Sequence, residues 1–289
     1  MYSLDGSYVW VREYKDTSAE FDMSAPQRMG TAAISFSRGI HQDGRWFHSL
    51  DAPVGINAIF NPGLGSADEN VYDILQMLGR ALYDFEPVNG TRETGSWPAV
   101  ASFLLGRGSS FDSIQGIDKV RSELFDAVTS EWLAELSDWF QGGAALHSSH
   151  GEFSMANISL TPRGLVVLTD PSQIIAPRGF DVGWLIGDFV ELALSPFSAF
   201  SSNDAAVAAE ILLREYLDAA SKSAIGALPI RFIAMAAQLR LIYHYIEYRI
   251  HPEVDQTNAA ASLALIATEL PLLGGPVLGK VLQGVRADD

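Results

Sequence analysis

The chain contains no cysteine. A disulfide framework, a thiolate metal site and a cysteine nucleophile are therefore excluded. Basic residues are few: 19 Lys and Arg stand against 35 Asp and Glu, for a formal net charge of −16. Nothing in that balance supplies a basic footprint for a phosphate backbone, so no nucleic-acid partner is expected. It is compatible with a cationic substrate or a basic partner. Long uninterrupted apolar runs are also missing. The stretch Ile230–Ile246 carries Gln238, Arg240 and His244, and Ala259–Thr268 stops at Glu269. Neither reaches the roughly 18 residues a membrane-crossing helix needs, so no membrane partner is expected. Met1–Asp5 has neither a basic region nor an apolar run, so no secretory signal is expected and the expected location is the cytoplasm. What the chain does have is apolar content. Hydrophobic residues make up 48% of 289, enough for a large core in one big domain or two unequal lobes.

The two ends differ in texture. Residues 1–62 read as strand and loop. Tyr8-Val-Trp-Val-Arg-Glu-Tyr14 is rich in β-branched and aromatic residues. Asp5-Gly6 ahead of it is a hairpin signal that makes Met1–Leu4 a partner strand. Gln42-Asp43-Gly44 is a second turn, between Ile34–Ile40 and Arg45–Leu50, while Ser24–Phe36 fits helix or strand equally. From Asn61 onward the pattern is helical. After the loop Asn61–Gly65, Ser66-Ala-Asp-Glu69 matches a capping box, and Val71, Ile74, Leu75, Leu78 and Leu82 follow at helical spacing. One amphipathic helix is expected over about 113–140, with Ile117, Val120, Leu124, Val128 and Leu136 inward. Further helices are expected over about 203–220, 229–250 and 258–270, and the apolar Ile230–Ile246 should lie at the centre of the helical lobe.

Between the helices sits a small hairpin: Ile158–Leu160, a turn over Thr161–Gly164, then Leu165–Leu168. Polar residues flank it. His150, Glu152 and Asn157 come before it, and Asp170 directly after. Short strands hold such flanking loops rigid, so chemistry is expected here. A carboxylate, an amide oxygen and a second carboxylate form a hard-oxygen set suited to Mg²⁺, which also keeps waters and phosphate oxygens. A carboxylate left over can orient or deprotonate a hydroxyl, and those are the parts of a phosphoryl-transfer site.

At these residues the chain resembles the aminoglycoside phosphotransferase and choline kinase superfamily, relatives of the protein kinases. The family's catalytic loop reads H-G-D-x-x-x-x-N, followed by a hairpin and an apolar run ending in a metal-binding Asp. Here His150-Gly-Glu152 and Asn157 form the loop, and Leu168-Thr-Asp170-Pro ends the run. Gly179-Phe-Asp181-Val-Gly-Trp-Leu185 resembles the family's helix-opening segment, and Met77-Leu-Gly-Arg-Ala-Leu82 the linker helix after the hinge. The likeness is good over about 66–194 and loose beyond. It implies an α+β, bilobal, protein-kinase-like fold, with a reduced β-rich N-lobe over 1–62 and a mainly helical C-lobe over 63–289. It also implies ATP and Mg²⁺ as cofactors. Asn157 and Asp170 would hold the metal, Glu152 would take the place of the catalytic Asp, His150 would orient the loop, and Asp181 would support it from beneath. Arg12, or else Lys15, would face the nucleotide, with Glu20 a candidate partner for Arg12.

Two departures matter. Glu152 is longer than Asp by a methylene, and misplacement of ~1 Å can cost ~100-fold in rate. Only eleven residues precede Arg12, fewer than the family's two strands and phosphate-covering turn require. Either the nucleotide site is open on one side, a partner protein completes it, or the true start lies upstream. The expected activity is transfer of the ATP γ-phosphate to a hydroxyl of a small molecule, cationic ones included, or of a Ser or Thr in a peptide. Shortened members of this kind also occur in ribosomal-peptide modification pathways. The alternative is a degenerate pseudokinase subunit that holds a peptide or partner. Other motifs are weaker. Gly274–Lys280 has P-loop spacing, but Val281 follows where Ser or Thr is needed. His244, Glu247 and His251 share a helical face that Pro252 ends. His147 and His150 are explained better by the loop. Trp132 and Trp139 read as core.

Overall fold

A computed structural model describes residues 2–4, 7–13, 34–37, 40–42, 45–50, 54–64, 70–84, 96–143, 146–161, 164–168, 174–193, 195, 198–221, 230–251, 256–269 and 279. The chain begins in strands. β1 (Tyr2–Leu4) and β2 (Ser7–Glu13) pair antiparallel, with Leu4 opposite Ser7, so two residues separate them. β4 (Ile40–Gln42) and β5 (Arg45–Leu50) pair likewise, Gln42 opposite Arg45, as the Asp43-Gly44 turn predicts. β2 then joins β5, giving a sheet in the order β1-β2-β5-β4. The resemblance implies two strands and a phosphate-covering turn ahead of β2. Among the described residues one strand stands there.

The apolar stretch Ile34–Ile40 divides between two sheets. β3 (Ile34–Ser37) leaves the N-terminal sheet and runs parallel to β9 (Gly164–Leu168), with Ile34 opposite Leu165. β9 forms the expected hairpin with β8 (Ile158–Thr161), closed by a 2.9 Å bond from the Thr161 hydroxyl to the Gly164 carbonyl. β6 (Val54–Gly55) adds to the other side, making the order β3-β9-β8-β6. Two strands from the first 62 residues thus clasp both edges of the hairpin. Ile34 and Phe36 are buried against the core, which is what draws this stretch away from its neighbours.

The rest is helical: α1 (Asn57–Phe60), α2 (Asn70–Asp84), α3 (Ser96–Leu104), α4 (Ile117–Ala127), α5 (Ser130–Asp138), α6 (Phe180–Leu192), α7 (Ser202–Ser221), α8 (Ile230–Ile250) and α9 (Gln256–Glu269). The inward residues of α2 are buried as expected, and so are Ile117, Val120, Leu124, Val128 and Leu136. The single helix expected over 113–140 is two. Val128 turns to an extended conformation, and Thr129 starts α5 by accepting the Trp132 amide at 3.2 Å. The apolar period crosses the break because both helices face the same core, so periodicity alone hides the cap. α3 has no counterpart in the sequence reading.

At the centre, α6 crosses α8. Every residue of α6 from Phe180 to Val190 is buried, and so is most of α8. Glycine allows the approach: a Cβ on Gly183 would lie 2.3 Å from the Ile233 carbonyl oxygen, and one on Gly187 2.7 Å from that of Ala237. Trp139 stacks on Phe232 with centroids 5.6 Å apart, and the Trp132 indole donates to Gln238 at 2.7 Å, so both tryptophans are core. Phe60 of α1 meets Phe189 and Phe200 edge-on, which anchors the chain leaving β6 to the helical lobe. Among the described residues no helix is long and apolar enough to cross a membrane.

Candidate active site

The loop between β7 (Leu146–Ser149) and β8 is held from below by α6. Asp181, in the first turn of α6, accepts the His150 amide at 2.8 Å with one carboxylate oxygen and the Gly151 amide at 2.9 Å with the other. Burial pushes the Asp181 carboxyl up in pKa, while His150 and the two amides pull it back. Gly151 has φ of 89°, a left-handed turn that glycine adopts without strain. That turn lets two successive amides face one carboxylate.

His150 is buried and its ring is occupied within the site. Its Nε2 faces the Leu168 carbonyl at 2.9 Å. A carbonyl only accepts, so Nε2 carries the proton. Nδ1 accepts the Glu152 amide at 3.4 Å. The ring therefore ties the loop to the end of β9, two residues before Asp170. Phe153 packs edge-on against it at 5.4 Å. Glu152 is half-buried. Asn157, 6% exposed, donates from Nδ2 to the Glu152 carbonyl at 2.7 Å. That bond fixes the amide's orientation, so a metal would meet the Oδ1 end.

Seven residues beyond Asp181, Asp188 repeats the device. Its Oδ2 accepts the Met155 amide and its Oδ1 the Arg240 Nε, both at 2.6 Å. Burial alone would lower Arg240's pKa, but Asp188 and Glu191 outweigh it and raise it. Burial also pushes the Asp188 carboxyl up, against Arg240 and His244. With the guanidinium in contact, the ionised pair is the state that satisfies both groups. Beside it, Glu191 faces His244 Nδ1 and accepts the Tyr248 hydroxyl at 2.6 Å. Burial would raise Glu191, but His244, Arg240 and Tyr248 hold it down, to about 2. Tyr243 donates to Glu247 at 2.6 Å and packs on Trp184. Burial and the nearby charges of Glu152 and Glu247 raise its pKa.

The structure thus brings His150, Glu152, Asn157 and Asp181 together. Asp170, Lys15 and Glu20 lie outside the described residues, as do 66–69, 274–278 and 280. Arg12 is on β2 opposite Trp46, and its side chain is outside the description. Sequence reasoning missed Asp188, Glu191 and the role of Arg240. Two acidic residues seven apart in the apolar run Phe180–Leu192, with a lone Arg inside another apolar helix, were the signal available. The His244, Glu247 and His251 set is not a metal centre. His244 is with Glu191 and Glu247 with Tyr243, and among the described residues no three His, Asp or Glu converge as a metal cluster. Of the two residues that the resemblance assigns to Mg²⁺, Asn157 presents one hard oxygen donor, the kind of group that ion takes together with water and phosphate.

A sheet-rich N-terminal lobe, a helical C-terminal lobe and a hairpin at their junction with its loop hung from a central helix make a bilobal, protein-kinase-like fold. The choline kinase from Cryptosporidium parvum Iowa II is similar in structure at a TM-score of 0.50 and 10% identity, over 86% of this chain and 74% of that one. A choline/ethanolamine kinase family protein from Mesorhizobium loti is similar at a TM-score of 0.48 and 14% identity, over 84% and 75%. No protein-family model matches the sequence, and no curated protein matches it. At 10% identity the likeness to the Cryptosporidium parvum protein bears on the fold alone.

Proposed function

We propose that the chain transfers the γ-phosphate of ATP, with Mg²⁺, to a hydroxyl of a small molecule or of a peptide side chain. One observation carries the reading. The α6 aspartates take loop amides on both sides of Glu152, and Asn157 folds back on the Glu152 carbonyl, so a carboxylate and an amide oxygen share one braced loop. In that arrangement Asn157 and Asp170 would hold Mg²⁺, which would supply charge neutralisation at the transferring phosphate. Glu152 accepts a hydrogen bond from the acceptor hydroxyl and orients it for in-line attack. His150 keeps the loop against β9. Arg12 or Lys15 meets the phosphates from the N-terminal lobe. The acceptor approaches past Glu152, near Tyr243 and Glu247, where the carboxylates favour a cationic group.

Thermal melting with and without Mg·ATP tests the nucleotide site. Ligand at ~100 times its Kd adds ~2.7 kcal/mol. The shift should appear in the wild type and vanish in Asp170→Ala. No shift at millimolar nucleotide sinks the proposal for the chain acting alone. It would turn attention to a partner that completes the N-terminal lobe. A second reading, a subunit that binds a peptide without phosphoryl transfer, is favoured by the extra methylene of Glu152. The two separate on Glu152→Asp: an active enzyme responds with a changed rate, and a binding subunit shows no transfer in either form.

A further inference from the structure

The two carboxylates beneath the loop do different things. Asp181 spends both oxygens on loop amides. Asp188 spends one on the Met155 amide and the other on Arg240, 52 residues away on α8. An amide needs only one acceptor, and a neutral one would serve. A buried ion pair is also a poor source of stability, because stripping water from both charges offsets their attraction. The geometry offers another reason for it. Arg240 Nε at 2.6 Å fixes the side-chain rotation of Asp188, and its guanidinium lies over the Trp184 ring at 5.6 Å. Both are anchored where α6 packs closely against α8, at the glycine contacts of Gly183 and Gly187. Met155 stands three residues after Glu152 and two before Asn157.

We propose that Asp188 and Arg240 are positioning residues, which set the height of the loop between Glu152 and Asn157 and so keep the carboxylate and the amide oxygen in register for phosphoryl transfer. This rests on the phosphoryl-transfer reading of those two residues. Neither Asp188 nor Arg240 needs to touch nucleotide or acceptor. Arg240 acts through one carboxylate and one backbone amide. Without the strut the loop keeps its Asp181 anchor at residues 150–151 and loses its hold at 155. A displacement of ~1 Å at Glu152 lowers the rate ~100-fold.

Two double variants test this, each free of a stranded charge. Asp188→Leu with Arg240→Met removes the acceptor of the Met155 amide. Asp188→Asn with Arg240→Gln keeps one. Hydrogen exchange of peptides covering 150–157 reads the loop, and phosphate release from Mg·ATP, with water as acceptor, reads the chemistry. The Leu/Met variant should stay folded but melt below wild type, because loss of the ion pair is nearly neutral while the buried Met155 amide is left without an acceptor. It should exchange faster over 150–157 and lose about 100-fold in kcat with a smaller change in KM. The Asn/Gln variant should restore slow exchange and most of the rate. Wild-type exchange in a folded Leu/Met variant overturns the proposal, whatever happens to ATP. Wild-type kcat with fast exchange overturns it too. Should the wild type release no phosphate, the phosphoryl-transfer reading fails, while exchange still decides the strut. If the Leu/Met variant does not fold, Arg240→Gln alone replaces it. Faster exchange over 150–157 then supports the strut, and unchanged exchange overturns it.

Discussion

Replacing Gly183 by alanine should unfold the protein more easily, which is the reverse of what helix propensity dictates. In a helix interior Ala is favoured over Gly by about 1 kcal/mol. Gly183 is the fourth residue of α6 and already bonds back to the Gly179 carbonyl, so a helix free of neighbours would gain up to that amount. Here the new Cβ would lie 2.3 Å from the Ile233 carbonyl oxygen and 2.7 Å from the Ala236 Cβ. Real Cβ atoms do not come within 3.0 Å of such neighbours. A backbone carbonyl inside α8 cannot swing aside, so the helices must separate by most of an ångström. Overpacking of that kind costs about 1–3 kcal/mol, and the loosened α6–α8 contact adds to it. The net expectation is a loss of about 2 kcal/mol, with Gly187→Ala behaving alike. Urea unfolding measures it as a lower midpoint at unchanged slope. Gly108→Ala calibrates the result, since nothing lies within 4 Å there and only the φ of 80° resists the side chain. A Gly183→Ala variant as stable as wild type would refute the close crossing of α6 and α8.

Glu191 gives a pH dependence. Its folded pKa, about 2, lies below the ordinary carboxylate value. Its contribution is therefore fully present above about pH 5 and fades as pH falls toward 2. Each pKa unit is worth about 1.4 kcal/mol, so the stability gap between wild type and Glu191→Gln should narrow by up to about 3 kcal/mol between pH 6 and pH 2.5. A gap independent of pH would contradict the assignment. Asp181→Ala strands two buried amides, at about 1–3 kcal/mol each, and should expose residues 150–151 to fast hydrogen exchange. Thr129→Ala removes the α5 cap and should lower stability by about 1 kcal/mol in thermal melts, without altering nucleotide binding.

Much of this was legible because it was local. The two turns at 5–6 and 43–44 set hairpins, and the spacing of Val71 to Leu82 sets a helix face. The hairpin at 158–168 was marked by its own turn. What stayed hidden was decided between distant segments. The split of Ile34–Ile40 depends on β9, more than a hundred residues away. The break at Val128 leaves the apolar period intact. The candidate site followed the same rule. His150, Glu152, Asn157 and Asp181 could be found from a motif. Asp188 and Arg240 belong to no motif, and their pairing exists only after α6 and α8 pack.

The spacing of the two aspartates has a consequence for how such a loop can change over evolutionary time. Seven residues at 1.5 Å set Asp181 and Asp188 about 10.5 Å apart along α6, on nearly the same face. The loop from Gly151 to Met155 spans that interval above them. One residue inserted between the aspartates would turn the second by about 100°, away from the loop. One residue inserted between 151 and 155 would leave Met155 off its mark. Loop length and helix phase therefore cannot drift separately. A gain or loss in either segment has to be answered in the other.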